Sequence, residues 1–172
     1  MTHRAFASFL VVLWVGALAI SPSRAANPTP VQLRQFTIPD RAAGLEWLRC
    51  SVGQTWNGVT CIGMARMLTL EEAEQAARMA SRELGGTWRL PTVDELKSLV
   101  CADCPPPKIN SRLYPNTMAS PYWSSSKNKW SVGRYWTVSF YTGYTFGRNA
   151  PNMARHVRLV RDLERRSEAK LP

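Results

Sequence analysis

The apolar residues of this chain fall at helical spacing in one long stretch and one short one. After Thr69, Leu70 is followed by Ala73, Ala77, Ala80 and Leu84, a single stripe along a helix. Thr69 with Glu72 has the capping-box spacing that satisfies the first free backbone N–H groups, and Gly85-Gly86 stops the run. Thr92 with Glu95 opens a second, shorter helix, entered through Pro91, whose apolar side is Leu96, Leu99 and Val100. Elsewhere the period is two. Leu45, Trp47 and Arg49 alternate with Glu46 and Leu48 in a first strand, and Asn57-Gly58 turns the chain back toward Cys61.

Beyond Cys104 the pattern changes. Pro105-Pro106-Pro107 excludes both helix and central strand, and short β-like pieces follow. Tyr122-Trp123 is one. Residues 135–141 are the clearest, with Trp136, Val138 and Phe140 on one face and Tyr135, Thr137, Ser139 and Tyr141 on the other. That alternation assigns Trp136, Val138 and Phe140 to the core, together with Trp123. Gly143 turns the chain into residues 144–148, and residues 156–161 read as a closing strand. The order of elements predicts an α+β domain, two short helices packed on small antiparallel sheets joined by long loops.

The first residues belong to something else. His3 and Arg4 precede an uncharged apolar run over residues 5–20, then Pro22 and the small residues of Ser23-Arg24-Ala25. This is the order of a secretory signal peptide over residues 1–25, and the run is short for a membrane span. It predicts an exported protein, periplasmic or secreted. Residues 26–43 read as a leader with little periodicity, residues 44–162 as the domain, and residues 163–172 as a charged tail. The formal charge of +10 falls to +8 once Arg4 and Arg24 leave with the signal. Residues 26–103 carry eight basic and nine acidic side chains, whereas residues 104–161 carry nine basic ones and no Asp or Glu. Nearly all the excess positive charge sits in that second stretch.

Export changes the reading of the cysteines. In an oxidising compartment Cys50, Cys61, Cys101 and Cys104 favour disulfides. Of the three pairings, Cys50 with Cys61 and Cys101 with Cys104 is preferred, because the first closes a loop around the Asn57-Gly58 turn. Zinc is disfavoured, since the other two cysteines lack ligand spacing and no histidine is near. Thiol redox chemistry is a weaker alternative, because Cys101 follows a helix, where the dipole opposes a thiolate. His156 is the one histidine outside the signal, and Arg155 and Arg158 beside it disfavour its protonated form.

Several phrases carry a resemblance. Trp88-Arg89-Leu90-Pro91-Thr92 leads into Glu95-Leu96, and Cys50-Ser51-Val52-Gly53-Gln54-Thr55-Trp56-Asn57-Gly58 precedes Cys61. Ile109-Asn110-Ser111, Tyr114-Pro115-Asn116-Thr117, Tyr122-Trp123-Ser124-Ser125-Ser126 and Val157-Arg158-Leu159-Val160-Arg161 follow. In this order they resemble the Lcl C-terminal domain family, found at the end of bacterial collagen-like adhesins, over residues 44–162. The resemblance implies a C-type-lectin-like fold, related to the formylglycine-generating enzymes, which share the Trp-Arg-Leu-Pro-Thr phrase. It also implies adhesion, with sulfated glycosaminoglycans as ligands of the collagen-like adhesin, and carries no catalytic residues. The chain lacks any Gly-x-y repeat, so attachment through a trimeric stalk does not carry over. It also lacks any cysteine after Cys104 for formylglycine chemistry.

The remaining chemistry points to binding. A calcium site needs converging carboxylates, and residues 104–161 offer none. Anions are the opposite case, because guanidinium pairs with sulfate as it does with carboxylate. Lys127, Lys129, Trp130, Arg134 and Tyr135 put cations beside rings that suit sugar faces, and Arg148 and Arg155 add charge. These seven are the candidate ligand residues. Arg89 is expected to bond backbone carbonyls as a loop organiser. The sequence therefore predicts a non-catalytic module without cofactor or metal, binding acidic polysaccharide or another polyanion. An envelope protein is the rival partner, and export argues against nucleic acid as the physiological one.

Overall fold

The computed structural model describes residues 36–163. The signal, most of the leader and residues 164–172 of the tail lie outside the described residues. The chain enters through β1 (Thr37–Asp40), which pairs antiparallel with β2 (Leu45–Leu48). Residues 37–40, read from the sequence as part of the leader, thus belong to the sheet. Thr37 is buried and donates its hydroxyl to Glu46 at 2.6 Å, so the pairing rests on a polar contact that hydrophobic alternation does not show. A hairpin of β3 (Thr55–Trp56) and β4 (Cys61–Ile62) follows. Asn57 Oδ1 closes its turn by accepting from the N–H groups of Val59 and Thr60.

Helix α1 (Leu70–Leu84) and helix α2 (Val93–Ser98) start where the capping boxes predict, with both halves of each box formed. Helix α1 buries Leu70, Ala73 and Ala77. A three-stranded antiparallel sheet comes next, β5 (Pro121–Lys127), β6 (Tyr135–Ser139) and β7 (Thr145–Asn149), in that spatial order. The chain ends in β8 (Val160–Asp162), which joins β2 and completes the sheet β1-β2-β8. The architecture is α+β, with two helices and small antiparallel sheets.

Two apolar cores flank the central strands. Trp47, Leu96, Tyr122, Val138, Phe140 and Val160 belong to one, and Trp88, Leu90, Trp123, Val157 and Leu159 to the other. Leu96 and Phe140, both wholly buried, each contribute about 1.5–3 kcal/mol. Because β6 has a core on each side, Thr137 and Ser139 are as buried as Val138, which the expected polar face does not anticipate. Trp136 is a second correction. It is only half-buried and lies over Gly147, where an added Cβ would meet its ring at 2.9 Å.

The closing segment divides the cores and is regular over fewer residues than expected. Leu48 N–H donates to Leu159 O at 3.0 Å, and Val52 N–H donates to Val157 O at 2.9 Å. Between these bonds three residues, 49–51, oppose the single residue 158, and the ladder breaks there. Arg158 fills the break. Its guanidinium donates to the carbonyls of Leu48 and Arg49 at 2.9 and 2.6 Å.

Candidate functional site

Seven of the nine cations of residues 104–161 fall into two groups. Arg158 is wholly buried, adds a 2.7 Å bond to Thr117 Oγ1, and stacks on the Tyr114 ring, while desolvation lowers its pKa. Arg161 pairs with Glu46 at 2.6 Å, donates to Gly85 O, and lies over the Trp88 ring. Lys108 is taken up by the carbonyls of Ala102 and Cys104. These three serve the fold. Lys127, Lys129, Arg134 and Arg148 are exposed, and the ion pairs among the described residues, Arg89–Glu95, Arg89–Asp162 and Arg161–Glu46, use none of them.

Sheet register brings that second group to one end. Lys127 pairs with Tyr135, and Tyr135 with Asn149, so Lys127 and Asn149 are two strand spacings apart, about 10 Å. Asn128 N–H donates to Arg134 O at 2.8 Å, which sets Lys129 and Arg134 in the loop beyond that row. Trp130 stands in the same loop, 86% exposed. Asn128 Nδ2 reaches across to Gly147 O at 2.8 Å and fastens the loop to β7 beside Trp136. Tyr135 is half-buried and packs against the core of Trp88 and Trp123.

Next to this end lies a cleft of about 340 Å³, lined by Thr137, Ser139, Phe146, Arg148, Asn149 and Arg155. Asn149 organises it. Its Nδ2 donates to Thr137 Oγ1 and Phe146 O, and its Oδ1 accepts from Nε and Nη2 of Arg155 at 3.2 and 3.1 Å. The Arg155 guanidinium is thereby held at the cleft wall, with Nη1 on Ala154 O. Phe146 is half-exposed beside it. Asn149, Phe146 and Thr137 are absent from the sequence-based set. Their signal is weak, because nothing local marks an asparagine that bridges β6 and a distant arginine. The structure thus brings Arg148 and Arg155 together in one cleft that adjoins the loop of Lys127, Lys129, Trp130 and Arg134 at the same sheet end.

The other reactive types are committed elsewhere. Cys50–Cys61 and Cys101–Cys104 are disulfides, as the preferred pairing predicts. Arg89 holds Glu95 through two bonds of 2.8 and 2.9 Å and reaches Asp162, so it organises its loop chiefly through carboxylates rather than carbonyls. This pairing, ahead of the Thr92 cap bonds, keeps the Glu95 carboxyl below its ordinary range.

His156 is buried against the Tyr122 ring, with Nδ1 3.2 Å from Arg66 O. Burial lowers its pKa below the ordinary 6.5. The unfolded chain therefore binds this proton more readily, and stability present above pH 6.5 falls as pH drops below it. Urea midpoints measured from pH 7.5 to 5 should decline, and His156→Gln should flatten that slope. An unchanged slope in the variant would assign the decline to another group.

Residues 36–161 match the Lcl C-terminal domain. No curated protein gives a significant match to the sequence. The match covers the described fold almost from end to end, including both disulfides and the acid-free sheet. This chain belongs to the Lcl C-terminal domain family.

Proposed function

We propose that the domain is an exported, non-catalytic, adhesin-like module that binds acidic or sulfated polysaccharide at the open end of the β5-β6-β7 sheet. One observation carries this reading: Lys127, Lys129, Arg134 and Arg148 share one sheet end, exposed and without a carboxylate anywhere in residues 104–161. Cations left without internal partners keep their field for a ligand. Trp130 and the half-exposed Trp136 give apolar ring faces for sugar rings, and Phe146 with Arg148 and Arg155 offers a neighbouring place for an acidic group. The C-type-lectin-like arrangement implied by the family accords with a ligand surface built on late strands and loops.

Heparin is the direct probe. The protein should bind immobilised heparin at about 0.15 M ionic strength, where distant charge attraction is screened. Replacing Lys127, Lys129 and Arg134 together by Ser removes three exposed contacts of roughly 0.5–1 kcal/mol each, an affinity loss of about 10- to 150-fold. Equal retention on an uncharged matrix would contradict the proposal.

A further inference from the structure

A second surface, away from that sheet end, combines apolar side chains and cations differently. The β3–β4 hairpin leaves Val59 82% and Met64 84% exposed, with Ile62 about half out. The loop over residues 110–118 adds exposed Leu113 and Met118. The two segments are fastened together. Asn116 Nδ2 donates to Cys61 O at 2.7 Å and to Thr60 Oγ1 at 3.2 Å, and Gln54 Nε2 donates to Asn116 O at 3.1 Å. The Cys50–Cys61 disulfide ties β4, at its turn end, to the segment that follows β2. Met64 and Met118 flank one depression, with Asn116 in its wall. These side chains are thus presented on a braced platform.

The two segments that build the platform carry charge of one sign. Residues 47–70 and 104–161 contain no Asp or Glu, while Arg66 follows Met64 by two positions and Arg112 adjoins Leu113. Both arginines are exposed. Carboxylates approach the platform at its margins: Arg66 helps to lower the Glu72 pKa, Glu83 shares a hollow with Trp56 and Arg66, and Asp40 lies within electrostatic reach of Tyr114. Protruding apolar side chains with a cationic rim match a partner that is anionic at its surface and apolar just beneath. A folded protein partner would instead have to supply a hollow for each of these knobs. Among the described residues no helix is long and apolar enough to cross a membrane, so lipid contact here is contact with a surface.

We propose that this platform docks on anionic lipid bilayers, with Val59, Ile62, Met64 and Met118 entering the interface and Arg66 and Arg112 meeting lipid phosphates. Binding of this kind grows with the apolar area inserted and with attraction to anionic headgroups. It is independent of the polysaccharide reading, because it uses none of the same side chains.

The test is co-sedimentation of the chain beginning at Ala26, the form expected after signal cleavage, with large vesicles. One set is pure phosphatidylcholine and the other contains phosphatidylglycerol. The protein should pellet with the second and little with the first. Val59→Asp with Met64→Asp should weaken partition by tenfold or more. Arg66→Ser with Arg112→Ser should weaken it by roughly 5-fold per guanidinium lost. Lys127, Lys129 and Arg134 changed to Ser should leave it as in the wild type. These positions are all exposed, and an unchanged urea midpoint shows that each variant is folded. Failure to pellet with phosphatidylglycerol vesicles overturns the proposal, as does wild-type partition of the Val59 and Met64 variant. Loss confined to the Lys127, Lys129 and Arg134 variant would assign lipid binding to the polyanion site instead.

Discussion

Arg158→Ala is expected to remove about 3–5 kcal/mol of folding stability, read as a large fall in urea midpoint. The side chain is wholly buried and spans the break between the closing segment and residues 48–52. Truncation leaves the carbonyls of Leu48 and Arg49 and the hydroxyl of Thr117 without their donor, inside a core that water does not reach. It also empties the space beside Tyr114, whose own pKa is pushed up to about 12, chiefly by burial. Arg158→Lys keeps the charge but not the planar fork, so it should recover only part of the loss. A midpoint unchanged in Arg158→Ala would show that the break in the ladder needs no side-chain donor.

The second large effect is expected from removing the Cys50–Cys61 disulfide by paired alanine substitution. Its partners are 11 positions apart, and closing a loop of that size is worth roughly 3 kcal/mol through the unfolded chain. The hairpin has two residues per strand, too few to hold itself in water. Loss of the bridge should therefore lower the urea midpoint and speed amide exchange at Thr55, Trp56, Cys61→Ala and Ile62 before the rest of the fold. Cys101–Cys104 closes a much shorter loop and should matter less. Equal effects from both bridges would contradict this ordering.

The parts of the fold legible in the sequence are those set by short-range chemistry. Both helices begin at Thr-x-x-Glu because the cap bonds join residues three apart, and helix α1 ends at Gly85, whose φ is +74°. Asn57-Gly58 and the Cys50–Cys61 pairing are legible for the same reason. Strand positions are legible, but faces are less so. Alternation distinguishes inside from outside only when one face meets water, and β6 has a core on each side. Thr137 and Ser139 are buried there, while Trp136 sits near the surface over the one residue of β7 that lacks a side chain. Strand β1 is hidden because its buried position is a threonine paired with Glu46.

The candidate site divides along the same line. An acid-free, lysine- and arginine-rich stretch is visible in sequence, and so is the ring-bearing loop at Trp130. Which arginines are spent on the fold is not visible, because the partners of Arg158 and Arg161 come from far along the chain. Arg161 finds Glu46, and Arg158 finds carbonyls of residues 48 and 49. Arg155 is turned to the cleft by Asn149, an arrangement that depends on β7 lying beside β6.

Polyanion binding at the sheet end depends on where the unspent cations sit rather than on how many there are. The most direct measurement compares heparin affinity at about 0.15 M ionic strength for two variants with the same net charge. One changes Lys127, Lys129 and Arg134 to Ser, and the other changes the exposed Arg78, Arg82 and Lys97 of the two helices. The sheet-end variant should lose about 10- to 150-fold while the helix variant stays near the wild type. Equal losses in both, or none in the first, would contradict a localised polysaccharide site.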